Sequence, residues 1–123
     1  MRDIDILVSE VGPRDGLQSI TTVMPLAAKK AWIDAEAAAG VREIEVGSFV
    51  PAKLLPQLAD TAELVAHART LPGLTVAALV PNAKGAEAAI RAGAHKITLP
   101  LSVSETHSLA DRKSTRLNSS HVV

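Results

Sequence analysis

Two stretches of this chain repeat one pattern, and the repeat limits the fold more than composition does. Ala39-Gly40-Val41-Arg42-Glu43-Ile44-Glu45-Val46 matches Ala92-Gly93-Ala94-His95-Lys96-Ile97-Thr98-Leu99 in character: a helix end, a short glycine link, then a buried strand. Glycine stops a helix because it takes the left-handed backbone without steric penalty. The same alternation extends to either side. Ile4–Val11 reads as a strand, with Ile4, Ile6 and Val8 on one face and Leu7 and Val11 supporting burial on the other. Pro25 heads a helix running to about Ala39, with Leu26, Ile33 and Ala37 on one side and a Lys30–Asp34 pair on the other. Glu43–Gly47 is a second strand, and the stretch from Ser48 to Leu58, punctuated by Pro51 and Pro56, is a loop.

Asp60-x-x-Glu63 has the form of a capping box opening a helix to about Arg69, whose apolar face is Leu64, Val65 and Ala68. Leu71-Pro72-Gly73 ends it. Thr75–Val80 is a third strand, almost wholly apolar, and Asn82 caps a third helix running through Ala92 to a stop at Gly93. Lys96–Leu101 is the fourth strand. Strand–helix alternation with such short links predicts a parallel α/β sheet with right-handed crossovers. Four strands and three helices fit either an open doubly wound sheet or half of a barrel, and periodicity does not separate the two.

Composition narrows the class. At 123 residues the chain holds one domain and is too short for two. Apolar residues are 47 % and aromatics 2 %, so the core is built from Ala, Val, Leu and Ile. No apolar run approaches the roughly 20 residues of a membrane span. Met-Arg-Asp-Ile-Asp lacks the pattern of a signal peptide. With no cysteine there is no disulfide framework, which predicts a cytoplasmic protein. Zero net charge gives no general pull toward nucleic acid or anionic lipid.

The first strand ends in Glu10-Val11-Gly12-Pro13-Arg14-Asp15-Gly16-Leu17-Gln18. Gly12–Pro13 and Gly16 break any regular element, so Arg14 and Asp15 are expected on a tight turn. Read alone, that pair is either a solvated ion pair or a rigid binding site. In a barrel the strands' carboxyl ends form one rim. Arg14 and Asp15 follow strand one, Glu45 lies near the end of strand two with Ser48 just past it, Asn82 follows strand three, and Ser104, Glu105 and His107 follow strand four. His67 and His95 fall on or beside helices and read as surface residues.

That nine-residue string resembles the signature of the hydroxymethylglutaryl-CoA lyase family, a branch of the metal-dependent carbon–carbon lyases and synthases built on a (β/α)₈ barrel. The resemblance continues through Ser48-Phe49-Val50-Pro51, Pro56-Gln57-Leu58-Ala59-Asp60 and Pro81-Asn82-Ala83-Lys84-Gly85 to about Ala110. It implies the N-terminal part of a TIM barrel over residues 1–110. It also implies that Asp15 ligates a divalent metal, Mg²⁺ or Mn²⁺, and that Arg14 sits over the thioester carbonyl of an acyl-CoA substrate and stabilises an enolate. Glu45 resembles a glutamate beside the metal. It has two readings, an acid–base group or an interior carboxylate salt-bridged to Arg14. Gln18 is expected to orient the loop and contact substrate, and Ser48 to be a turn residue or a substrate contact; Asn82 is explained by helix capping.

The resemblance departs at Ser19–Ile20, where the family has Asn-Glu. The family's late His-x-His metal ligands and catalytic cysteine have no counterpart in these 123 residues. The implied parent is a homo-oligomeric enzyme of leucine breakdown that cleaves 3-hydroxy-3-methylglutaryl-CoA, or a close 3-hydroxyacyl-CoA, to acetyl-CoA and acetoacetate. The fragment itself is expected to be inactive. A Claisen-type synthase of the same superfamily shares Arg14, Asp15 and the metal.

Residues 111–123 have no apolar period and hold Arg112, Lys113 and Arg116 against Asp111. They read as a disordered basic tail, as a weak nucleic-acid contact on a non-catalytic module, or as the translated reading frame of a sequencing adapter, which is the reading favoured here.

Overall fold

Every strand finds its neighbour in chain order. The computed structural model describes residues 5–101. The expectations for Ser104, Glu105, His107 and the tail lie outside them. Four parallel strands, β1 (Ser9–Glu10), β2 (Glu43–Ser48), β3 (Thr75–Leu79) and β4 (Lys96–Thr98), form one sheet in the order β1-β2-β3-β4. Between them lie α1 (Leu26–Ala38), α2 (Thr61–Ala68) and α3 (Ala83–Ala92). A doubly wound sheet reverses its strand order at a switch point. This sheet advances without reversal, as consecutive staves of a barrel wall do.

The two faces of the sheet differ in chemistry. Ile44 and Val46 of β2 and Val76 of β3 point outward into a buried cluster with Ile33 of α1 and Leu64, Val65 and Ala68 of α2. The alternate residues Glu43, Glu45 and Ala77 are also buried but face the other way, toward β4. All six residues of β2 are buried, as a central strand covered on both faces requires. The glycine repeat holds: Gly40 and Gly93 follow α1 and α3 with φ of 102° and 101°. Asn82 caps α3 as predicted, its Oδ1 accepting from Gly85 N at 2.8 Å.

The structure corrects several sequence expectations. The first strand, expected over Ile4–Val11, is ordered into the sheet only at Ser9–Glu10, and Ile6 and Val8 are 79 % and 73 % exposed. Among the described residues β1 pairs on one side only, so nothing there covers this apolar run. β4 stops at Thr98 instead of Leu101; it is the other edge, and Pro100 lacks the N–H to extend a ladder.

Asp60 stands at the N-cap of α2 but makes no capping bond. Its carboxylate, together with Gln57 O, accepts from the buried Lys29 Nζ of α1, each at 2.6 Å. A buried ammonium left unpaired costs far more than a missing cap, so the carboxylate goes to the lysine. Asp34 reaches across to His67 of α2 at 2.7 Å, not along α1 to Lys30. His95 is exposed as expected, yet its Nδ1 accepts from Val76 N at 2.9 Å and finishes the start of β3. No helix among the described residues is long and apolar enough to cross a membrane.

Candidate functional site

The stretch after β1 is not a simple tight turn. Residues Gly12–Gly16 form one π-helical turn, with Leu17 N donating to Gly12 O and Asp15 N donating to Val11 O at 2.6 Å. The wider winding lets Pro13 be buried while Arg14 and Asp15 project from consecutive positions. Such turns recur where a chain must aim particular side chains. The turn is anchored at its start by Glu10 Oε1, which accepts from Gly12 N at 2.8 Å. Beyond it, Gln57 Nε2 donates to the carbonyls of Gln18 and Ile20 at 3.1 and 2.9 Å. Gln18 thus meets the neighbouring loop through its backbone, and Gln57 is the side chain that ties the two together. The proline-punctuated spacing around Gln57 marks a loop but says nothing of this reach.

Arg14 Nε donates to Glu45 Oε1 from the inner face of β2, and Arg14 Nη1 lies 3.2 Å from Asp15 Oδ1. The open alternative for Glu45, an interior carboxylate paired with Arg14, describes this geometry. Its second oxygen, Oε2, accepts from Thr98 Oγ1 of β4 at 3.1 Å. Thr98 was not singled out from sequence; its even spacing from Lys96 on one strand face was the available signal. Asp15 is the solvent-facing member, with its side chain 62 % exposed. The arrangement is therefore graded: a carboxylate held in the sheet, a guanidinium above it, and a second carboxylate open to solution.

Behind the turn, Glu36 of α1 accepts from Trp32 Nε1 at 3.0 Å, while its Oε2 is buried with no hydrogen-bond partner among the described residues. Burial raises the Glu36 carboxyl above its ordinary pKa, the Trp32 bond partly opposes this, and the charge of Glu10 raises it further.

Ser48 does not join the Arg14 cluster. It lines a cavity of about 350 Å³ with Phe49, Leu58, Thr61, Asn82 and Lys84, to which Arg14, Asp15 and Glu45 do not contribute. Ser48 N donates to Thr61 Oγ1 at 3.1 Å, and its hydroxyl is buried with no partner among the described residues. Nor do the described residues bring three His, Cys, Asp or Glu side chains together around one point, so Asp15 stands as a single oxygen donor for a cation.

A family model described as HMGL-like matches residues 5–122. The chain is 48 % identical over 99 residues to the 3-hydroxy-3-isohexenylglutaryl-CoA/hydroxy-methylglutaryl-CoA lyase of Pseudomonas aeruginosa, covering 80 % of this chain and 33 % of that protein. It is 43 % identical over 94 residues to the mitochondrial hydroxymethylglutaryl-CoA lyase of Macaca fascicularis, covering 76 % and 29 %. Among solved structures, the HMG-CoA lyase of Bacillus subtilis superposes with a TM-score of 0.83 at 35 % identity, over 95 % of this chain and 39 % of that one. The HMG-CoA lyase of Acinetobacter baumannii, solved with coenzyme A and 3-methylmalate, gives 0.82 at 39 % identity, over 92 % and 37 %. The chain spans about a third of the length of the curated relatives it matches.

Proposed function

The chain belongs to the HMGL-like family, and on that premise we propose that the protein carrying it is a carbon–carbon lyase acting on 3-hydroxy-3-methylglutaryl-CoA or a close 3-hydroxyacyl-CoA. The supporting observation is Arg14, held at the carboxyl end of β1 by Glu45 and Asp15. Cleavage removes the proton of the tertiary hydroxyl and breaks the bond from its carbon to the thioester's α-carbon. The electron pair moves onto that α-carbon as an enolate of acetyl-CoA, and the alcohol carbon becomes the ketone of acetoacetate. Protonation of the enolate completes the reaction. A pre-positioned guanidinium stabilises the oxygen on which this charge accumulates. Arg14 uses Nε and Nη1 in its ion pairs, leaving Nη2 for the thioester oxygen.

Glu45 is fully engaged by Arg14 and Thr98, which favours a role in holding Arg14 over one in taking the substrate proton. Asp15 fits a hard divalent cation in kind, as an exposed oxygen donor, but the described residues do not complete a coordination shell. The reaction is accordingly assigned to the longer protein, with the 123-residue chain alone expected to be inactive.

The test is an assay of the full-length protein with 3-hydroxy-3-methylglutaryl-CoA, following release of acetyl-CoA and acetoacetate. Condensation of acetyl-CoA with a keto acid, without cleavage, would move the assignment to the synthases.

A further inference from the structure

We infer that Thr98 is a positioning residue: its hydroxyl, reaching Glu45 diagonally across β3, fixes the carboxylate on which Arg14 rests. Glu45 lies on β2 and Thr98 on β4, 53 residues apart in sequence and separated by the whole of β3. They meet at 3.1 Å on a diagonal, because Glu45 is in register with Ala77 of β3 and Thr98 with Leu79, and the methyl of Ala77 adds little bulk beside the carboxylate. One layer below, Glu43 makes the same crossing to Lys96 at 3.2 Å. Two crossings of one geometry thus end in different chemistry.

The difference bears on Arg14. A lysine at position 98 would compete with the guanidinium for the Glu45 charge. A hydroxyl donates to one oxygen without neutralising the carboxylate, so the other oxygen keeps its full attraction for Arg14. Threonine is also β-branched, which restricts its χ1 and holds the donor in place. Glu45 is then pinned at both oxygens in a site that is buried, and a buried carboxylate cannot borrow water to replace a lost donor. The consequence falls on Arg14, whose Nε has Glu45 as its partner.

The experiment uses the full-length protein labelled with ¹⁵N-arginine, as wild type, Thr98→Val and Thr98→Ser. The readouts are solvent exchange of the Arg14 Nε–H by NMR and, separately, kcat and KM for carbon–carbon cleavage of 3-hydroxy-3-methylglutaryl-CoA. Thr98→Val keeps the shape and removes the donor, and the Arg14 Nε–H is expected to exchange about tenfold faster. Thr98→Ser restores the slow exchange. Ala77→Val retains the hydroxyl but adds bulk beside the carboxylate and is expected to reproduce the Thr98→Val result. In turnover, kcat falls for Thr98→Val while KM stays near its original value.

Unchanged Arg14 exchange in Thr98→Val, or a serine variant no better than valine, overturns the inference. Only the turnover arm rests on the lyase reading. Faster exchange in a protein that does not cleave 3-hydroxy-3-methylglutaryl-CoA sustains the role of Thr98 and removes the proposed reaction.

Discussion

The methyl and hydroxyl of Thr61 occupy the space where a β-carbon on Gly47 would stand. This contact joins the end of β2 to the start of α2 at the point where the strand's register shifts between Glu45 and Gly47. Thr61 Oγ1 also donates to Leu58 O at 2.6 Å and accepts from Ser48 N, so strand, loop and helix share one junction. Gly47→Ala must displace backbone-anchored atoms and is expected to destabilise the protein by about 2 kcal/mol, measured by urea unfolding. Thr61→Ser, which retains both hydrogen bonds, should cost less than about 1 kcal/mol. Equal stability of Gly47→Ala and wild type would show that the junction yields.

Lys29 carries a charge into the α1–α2 interface and is buried against Asp60 and the Gln57 carbonyl. Removing the ammonium while keeping the stem, as in Lys29→Met, leaves Asp60 to recover water, because that carboxylate is partly exposed. The expected loss is about 1–2 kcal/mol, below the roughly 3–5 kcal/mol for a fully buried pair broken on one side. Asp60→Asn leaves the charged lysine buried and should therefore cost more than Lys29→Met. Chemical denaturation of the two variants side by side checks the order.

Glu36 sets a pH dependence of known sign. Its carboxyl is raised above its ordinary pKa, first by burial, so in the pH interval between the unfolded and folded values the folded state holds a proton that the unfolded chain has released. That contribution to stability is complete below the unfolded carboxylate pKa and is lost as pH rises through the folded one. Glu36→Gln removes the titration and keeps an acceptor for Trp32 Nε1. Over the range above about pH 4.3, the variant should lose less stability with rising pH than wild type. Thermal midpoints of both proteins across that range would refute the assignment if the two curves ran parallel.

What was legible in the sequence was whatever local spacing controls. Gly40, Gly93 and Asn82 terminate or cap their helices through their own backbones, and each stands where the pattern placed it. Strand order, unlike strand existence, depends on contacts between segments far apart, which periodicity does not encode. The misplaced partners share that cause: Asp60 left its cap for Lys29, and Asp34 left Lys30 for His67, because a neighbouring helix offered a better partner than the residue's own turn. At the site, the glycine- and proline-broken turn placed Arg14 and Asp15 after the first strand, and the resemblance supplied the roles proposed for them and for Glu45. Thr98 and Gln57 were missed because a hydroxyl and an amide carry no pattern until the sheet brings them across to Glu45 and to Gln18.

Arg14 is where position and chemistry meet, and its replacement by lysine separates them. Lysine keeps the charge but is a point donor on a flexible stem, unable to present Nε to Glu45 and Nη1 to Asp15 at once. If the charge alone mattered, Arg14→Lys would retain most turnover in the full-length protein. The planar fork held from both sides predicts otherwise, a fall in kcat of about 100-fold, the scale seen when one donor to a developing oxyanion is lost. Glu45→Gln leaves the guanidinium in place but weakens its anchor, so a smaller fall is expected, with stability lowered in parallel. Steady-state kinetics alongside thermal unfolding distinguish the two variants, because a purely structural Arg14 would lose stability and activity together, while a substrate-facing one loses activity first.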